Sequence, residues 1–251
     1  MPAIPAWPPR SAPRLFVPSP LAQGITLSVE GNQAHYLAKV MRIVPGDAVI
    51  LCDDETGEWA ARVVEAGKRS VVLEPVEKLR EREAVPDLWL CPALLKKDRF
   101  DLVLEKATEL GVAAIRPMIA ARCVADKLNM DRARANAIEA AEQCARTALP
   151  EIGEPVKLAA LLREWPEHRT LFFADELGGA PAAQAFAAHS GPAALLVGPE
   201  GGFDDGERSA IRVLPQAVPI ALGPRILRGE TAAIAATAVW MAACGDWTRE
   251  E

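Results

Sequence analysis

The chain has 251 residues, with 28 Lys and Arg against 34 Asp and Glu, and half of its residues are hydrophobic. This is enough for one large globular domain or two small ones with a real core, and the net charge of −6 provides no global basic footprint, so any nucleic-acid contact must rest on local charge. The longest apolar run, Thr231 to Cys244, is too short and too alanine-rich to span a bilayer.

Met1 to Pro13 is rich in proline and alanine and reads as a disordered tail rather than a signal peptide. From Arg14 to about Val76 the signals are short and β-like, with candidate strands at Ile25–Val29, Ala48–Cys52, Trp59–Val64 and Val71–Val76. Asn32 is placed to cap a short helix carrying His35, Tyr36 and Met41. Closely spaced short strands predict a small barrel. The charged run from Glu77 to Pro86 reads as a linker, which divides the chain into a tail (1–13), a small β domain (14–80) and a larger domain (81–251).

The texture then alternates between strand and helix. Asp87–Ala93 is a predicted strand, and Asp98 a predicted cap for a helix with apolar residues at Phe100, Val103, Leu104, Ala107 and Leu110, ended by Gly111. A strand over Val112–Ile115 follows, then a helix from Asp131 through Glu142 and Arg146 to a stop before Pro150. Thr170–Ala174 is a strand and Ala180–His189 a short helix. This alternation predicts an α/β domain with a parallel sheet.

Two further strand–loop–helix units close the chain. Ala193-Ala-Leu-Leu-Val-Gly-Pro-Glu-Gly-Gly-Phe203 is a buried strand entering a glycine loop, after which Asp204 and Glu207 form a capping-box pattern. Ala217 to Leu222 is a strand entering Gly223-Pro-Arg-Ile-Leu-Arg228, and an alanine-rich helix is predicted from about Thr231. Paired loops at one edge of an open α/β sheet mark a ligand site. Neither Gly-x-Gly-x-x-Gly nor Gly-x-x-x-x-Gly-Lys is present, which argues against a dinucleotide fingerprint or a Walker phosphate loop. The cysteines (Cys52, Cys91, Cys123, Cys144, Cys244) are scattered and odd in number, and His35, His168 and His189 show no metal spacing. We expect reduced thiols in a cytoplasmic protein, and no metal.

The ordered motifs Gly198-Pro-Glu-Gly-Gly202, Leu222-Gly-Pro-Arg-Ile-Leu-Arg228 and Glu230-Thr-Ala232 resemble those of the SPOUT methyltransferases, and within them the RsmE family. The resemblance extends upstream to Glu105-Lys-Ala-Thr-Glu-Leu-Gly111, to Glu142-Gln143 with Arg146, and to Arg14-Leu-Phe-Val-Pro18, His35-Tyr-Leu37 and Val40-Met-Arg42. It implies a PUA-like RNA-binding barrel followed by an α/β SPOUT domain with a C-terminal trefoil knot, acting as a homodimer. The implied reaction is methyl transfer from S-adenosylmethionine to N3 of a uridine in 16S ribosomal RNA of the small subunit, with no membrane involvement. The chain departs from the family at Thr147-Ala-Leu149 and at Gly229, where a larger residue is commoner.

On this reading the cofactor is held by Leu196, Val197, Gly198, Pro199, Glu200, Gly201, Leu222, Gly223, Ile226, Leu227, Arg228, Thr231 and Ala232. Arg14, Arg42, Lys96, Arg146 and Arg225 are the expected RNA contacts. Arg228 and Glu230 are the candidate catalytic residues. A neutral uracil N3 is a poor nucleophile, so an anion-stabilising arginine or a proton acceptor is expected. A structural ion pair between Arg228 and Glu230 is the competing account. Another nucleoside position, or a non-catalytic RNA-binding assembly factor, are the alternative functions.

Overall fold

The structure is a computed structural model that describes residues 7–248. The chain divides into two compact units: residues up to Ala84 together with Ala141–Leu149, and Val85–Ala140 together with the chain from Pro150 onward. Residues 1–6 of the expected tail lie outside the described residues.

In the first unit, β1 (Arg14–Phe16), β2 (Leu27–Glu30), β3 (Ala48–Asp53), β4 (Gly57–Ala66) and β5 (Ser70–Arg80) form one sheet in the order β1-β3-β4-β5-β2. β1 pairs parallel with β3 and the other pairings are antiparallel. Three register irregularities between β4 and β5 bend the ladder, as bulges do, and give a half-barrel filled by Leu15, Val29, Leu37, Val49, Leu51, Val63, Val71 and Leu73. The expected linker from Glu77 is in part strand: β5 continues to Arg80 because Lys78 lies over the Trp59 ring and Arg80 pairs with Glu58. Only residues 81–86 are irregular. Asn32 is not a cap. It sits inside α1 (Gly31–His35), whose N-cap is Glu30, and a π-helical turn over Tyr36–Val40 follows.

In the second unit β6 (Leu88–Pro92), β7 (Ala114–Ile115), β9 (Glu151–Ile152), β11 (Thr170–Ala174), β12 (Ala180–Pro181), β13 (Ala193–Val197) and β14 (Ala217–Ala221) form a parallel sheet, order β12-β14-β11-β13-β6-β7-β9. A separate pair joins β8 (Met118–Ile119) to β10 (Val156–Lys157). The helices are α2 (Lys97–Glu109), α3 (Met130–Cys144), α4 (Leu158–Arg163), α5 (Ala182–Ala187), α6 (Asp205–Val213) and α7 (Gly229–Cys244). Side chains alternate across β13: Leu195 and Val197 join the cluster with Phe100, Leu104, Phe186 and Trp240. Leu196 and Ala194 join the opposite cluster with Phe173, Phe203 and Ile211. Both faces of β13 are buried, as a central parallel strand requires.

Two helix starts shift from expectation. Lys96, not Asp98, is the N-cap of α2, and α7 begins at Gly229 with Arg228 as N-cap, placing Glu230 in its first turn. Helix α3 ends at Cys144, not beyond Arg146. Ala145 takes φ 61 and the Arg146 N–H bonds the Ala141 carbonyl at 3.0 Å, a Schellman closure with alanine in the place where glycine is usual.

Candidate active site

Strands β14, β11 and β13 are sheet neighbours and parallel, so the loops after them leave the same edge. Those loops enclose a cleft of about 200 Å³ whose lining includes Asp175, Glu176, Val197, Gly198, Leu222 and Leu227. Of the expected cofactor residues, Val197, Gly198, Pro199, Leu222, Gly223, Ile226, Leu227 and Ala232 line it. Leu196, Glu200, Gly201, Arg228 and Thr231 do not. Leu196 is turned by strand alternation into the far cluster. Gly201 is held from outside, its carbonyl accepting from Arg122 Nη1 at 2.7 Å. Glu200 reaches away to Arg99 Nη1 at 3.0 Å.

The loop after β11 was not singled out in the sequence. Its signal was present: Phe172-Phe-Ala-Asp-Glu-Leu-Gly-Gly179 repeats the plan of an apolar strand entering a glycine-containing loop seen in the other two. Asp175 has no exposed side-chain surface and accepts from Arg208 and, at 2.6 Å, from Arg212 Nη2. Burial alone would raise this carboxyl; the Arg212 hydrogen bond, the Leu177 N–H and the two guanidinium charges outweigh it and hold it below the ordinary carboxylate value. Both arginines lie on α6, whose start is fixed by the expected capping box: Asp204 accepts from the Glu207 N–H at 2.7 Å and Glu207 from the Asp204 N–H at 3.1 Å.

Gly229 opens α7 directly against the first glycine loop. A Cβ there would lie 3.0 Å from Leu95 Cδ2 and 3.3 Å from the Gly198 carbonyl, which accounts for glycine at this position. The Arg228–Glu230 ion pair of the competing account does not form. Glu230 Oε1 instead faces Arg99 Nε at 3.7 Å, with 12% of its side chain exposed, and its Oε2 is buried without a hydrogen-bond partner among the described residues. Arg99 thus stands between Glu200 and Glu230, joining α2 to the glycine loop and to the start of α7. Arg225 and Arg228 are exposed and carry no ion pair among the described residues, and Arg225 lines the cleft.

The expected RNA contacts separate by burial. Arg42 and Lys96 are exposed, as is Arg225. Arg14 is committed to Glu58 at 2.7 Å with 21% of its side chain exposed, and Arg146 is only 4% exposed. Neither presents an open guanidinium to a phosphate. Glu142 accepts the Phe16 N–H at 2.8 Å, and Glu83 Oε1 accepts the N–H groups of Thr147 and Ala148 at 2.5 and 3.2 Å. The stretch that departs from the family pattern is therefore tied into the first unit. Among the described residues no cluster of His, Cys, Asp or Glu is arranged to hold a metal, and no helix is long and apolar enough to cross a membrane.

The cleft fits the cofactor that the motifs imply. Apolar side chains from β13, β14 and the loop after β14 form its walls, Gly198 and Gly223 lie on its lining without side chains, and a Cβ at Gly223 would meet nothing within 4 Å.

Comparison with known proteins agrees. Residues 81–241 match the RNA methyltransferase domain family and residues 29–76 the RNA methyltransferase PUA domain family. Ribosomal RNA small subunit methyltransferase E of Bacillus subtilis is 31% identical over 222 residues, covering 82% of this chain and 86% of that one. The Rickettsia conorii protein of the same name is 28% identical over 229 residues, 90% of this chain and 93% of its own. The Neisseria gonorrhoeae enzyme bound to S-adenosylmethionine superposes with a TM-score of 0.87 at 28% identity, covering 94% of this chain and 100% of that one. A Legionella pneumophila protein in complex with the same cofactor gives 0.85 at 31% identity, over 94% and 99%. With the half-barrel, the parallel sheet and the three-loop cleft in the same order along the chain, this protein belongs to the ribosomal RNA small subunit methyltransferase E family.

Proposed function

We propose that this chain methylates N3 of a uridine in the 16S RNA of the small ribosomal subunit, in the cytoplasm, using S-adenosylmethionine. The observation that carries the reading is the convergence of three loops from adjacent parallel strands on one apolar cleft, with the uncommitted Arg225 on its lining and Arg228 at the N-cap of α7. The cofactor supplies an electrophilic methyl group when bound. Val197, Leu222 and Leu227 would wall its base, with the backbone at Gly198 and Gly223 meeting the polar edges. Fixing both reactants in one site converts a bimolecular encounter into a unimolecular one.

Arg228, exposed and without an ion pair among the described residues, stabilises the charge that develops on a uracil oxygen as N3 loses its proton. Glu230, facing Arg99 in the first turn of α7, acts as a positioning residue for the helix start whose N-cap is Arg228. Arg42 on the first unit and Lys96 and Arg225 on the second supply phosphate contacts, which set affinity more than sequence. The homodimer and the trefoil knot of the family form part of this proposal.

The test is methyl incorporation from labelled S-adenosylmethionine into small subunits lacking the modification, followed by nucleoside analysis. A 3-methyluridine product, lost in Arg228→Ala, is expected. A different methylated nucleoside refutes the substrate assignment. No incorporation together with no cofactor binding refutes the enzyme reading in favour of a non-catalytic RNA-binding factor.

A further inference from the structure

Two carboxylates line the cleft, and only one has acceptor capacity to spare. Asp175 is enclosed and takes hydrogen bonds from Arg208, Arg212 and the Leu177 N–H. Glu176 keeps 45% of its side chain exposed and gives one oxygen, Oε1, to Arg208 Nη2 at 2.8 Å. Its Oε2 takes no hydrogen bond among the described residues.

The place of this carboxylate is built from three directions. Its backbone follows β11, Arg208 on α6 holds Oε1, and the loop after β13 is shaped around it. A Cβ at Gly202 would fall 2.5 Å from Glu176 Oε2 and 2.6 Å from Oε1, and Gly202 itself has φ +68. Glycine here both adopts the left-handed conformation and vacates the space that the carboxylate occupies.

Once a ligand covers it and displaces its water, a held carboxylate beside apolar walls needs a donor from that ligand. If the apolar walls take a nucleoside base, the nearest donors on that ligand are the hydroxyls of the attached sugar, and acidic side chains serve this purpose in dinucleotide sites of unrelated sequence. We propose that Glu176 reads the ribose of the cofactor, accepting a hydroxyl hydrogen bond through Oε2, and that its charge rejects nucleotides phosphorylated on that sugar.

This inference rests on reading the cleft as the S-adenosylmethionine site. The test is calorimetric binding of S-adenosylhomocysteine and of 5′-methylthioadenosine, which lacks the amino-acid end, to the full chain and to Glu176→Gln. The variant keeps a polar group facing Arg208 and leaves Asp175 in place, and equal thermal midpoints check that it folds. A loss of about tenfold or more, equal for both ligands, is expected for a charge-assisted hydrogen bond. The 2′- and 3′-deoxy analogues are expected to weaken binding to the wild type, with one of them losing nothing further in the variant.

Unchanged affinity in Glu176→Gln overturns the proposal. A loss that disappears with 5′-methylthioadenosine assigns the carboxylate to the cofactor's amino group and overturns it equally. Gly202→Ala, which displaces the carboxylate, is expected to weaken both ligands in the wild type but add little to Glu176→Gln. Absence of S-adenosylhomocysteine binding by the wild type refutes instead the reading of the cleft.

Discussion

Replacing Asp175 by asparagine removes one charge from the most enclosed ion cluster beside the cleft while preserving shape. Arg208 is 9% exposed on its side chain and Asp175 not at all, so this pair lies within the protein. Breaking a buried pair by removing one partner costs about 3–5 kcal/mol, because the remaining charge is left uncompensated. Two features reduce the cost. Arg208 retains Glu176 at 2.8 Å, and Arg212, 47% exposed, is rescued by water, so its pair contributes only about 0–1 kcal/mol. The expected destabilisation is therefore near the lower limit, about 3 kcal/mol. Urea unfolding followed by tryptophan fluorescence reads it, since Trp89, Trp165, Trp240 and Trp247 all lie in the second unit. The pH dependence has a fixed sign. The folded carboxyl titrates below its ordinary value of 3.8, so its contribution is fully present above that value and disappears as the pH falls through the folded one. The gap between wild type and variant should be constant from about pH 5 to 8 and close in acid. A gap below about 1 kcal/mol at neutral pH, or one that persists in acid, would refute the argument.

Gly229→Ala gains about 1 kcal/mol of helix propensity but presses on Leu95 and the Gly198 carbonyl. Thermal stability should therefore change little while S-adenosylhomocysteine binding weakens, both read by melting with and without ligand. Arg99→Gln loses its partners Glu200 and Glu230. Because Glu230, 12% exposed, is left without its cation, stability should fall by about 1–3 kcal/mol, while methyl-transfer turnover falls about tenfold through lost positioning. Equal loss of both would make Arg99 merely structural. Ala145→Gly relieves a left-handed alanine at φ 61 and should stabilise the first unit by about 1 kcal/mol in chemical denaturation. Burial raises the Cys52 thiol to about 11 and the Cys91 thiol to about 12, so both should resist alkylation at pH 8 until the chain is unfolded, as peptide mapping by mass spectrometry would show.

What could be read from the sequence is what depends on neighbours in the chain. The β13 run, the glycines after it and the Asp204–Glu207 capping box are local, and each takes the expected form. Helix limits moved where a backbone event overrode residue preference: Ala145 enters the left-handed region without being glycine, so α3 stops early and Arg146 turns inward. The third loop was missed because Asp175 and Glu176 look like ordinary solvated acids until α6 brings Arg208 and Arg212 to them.

The same logic governs the arginines, and it bears on function. Nothing within the local sequence distinguishes Arg14 from Arg42, or Arg99 from Lys96, as a phosphate ligand. The distinction comes from acids far away: Glu58 claims Arg14, and Glu200, 101 residues along the chain, claims Arg99. Desolvating an already paired guanidinium to meet RNA would forfeit its existing partner, whereas Arg42, Lys96, Arg225 and Arg228 have no ion-pair partner to lose among the described residues. In an acidic protein of net charge −6, unpaired cations rather than total positive charge define where a polyanion can settle. Two of those four lie on the loop after β14, Arg225 on the lining of the cleft and Arg228 at the start of α7, so under the proposed function the cations left for a polyanion stand beside the proposed cofactor site.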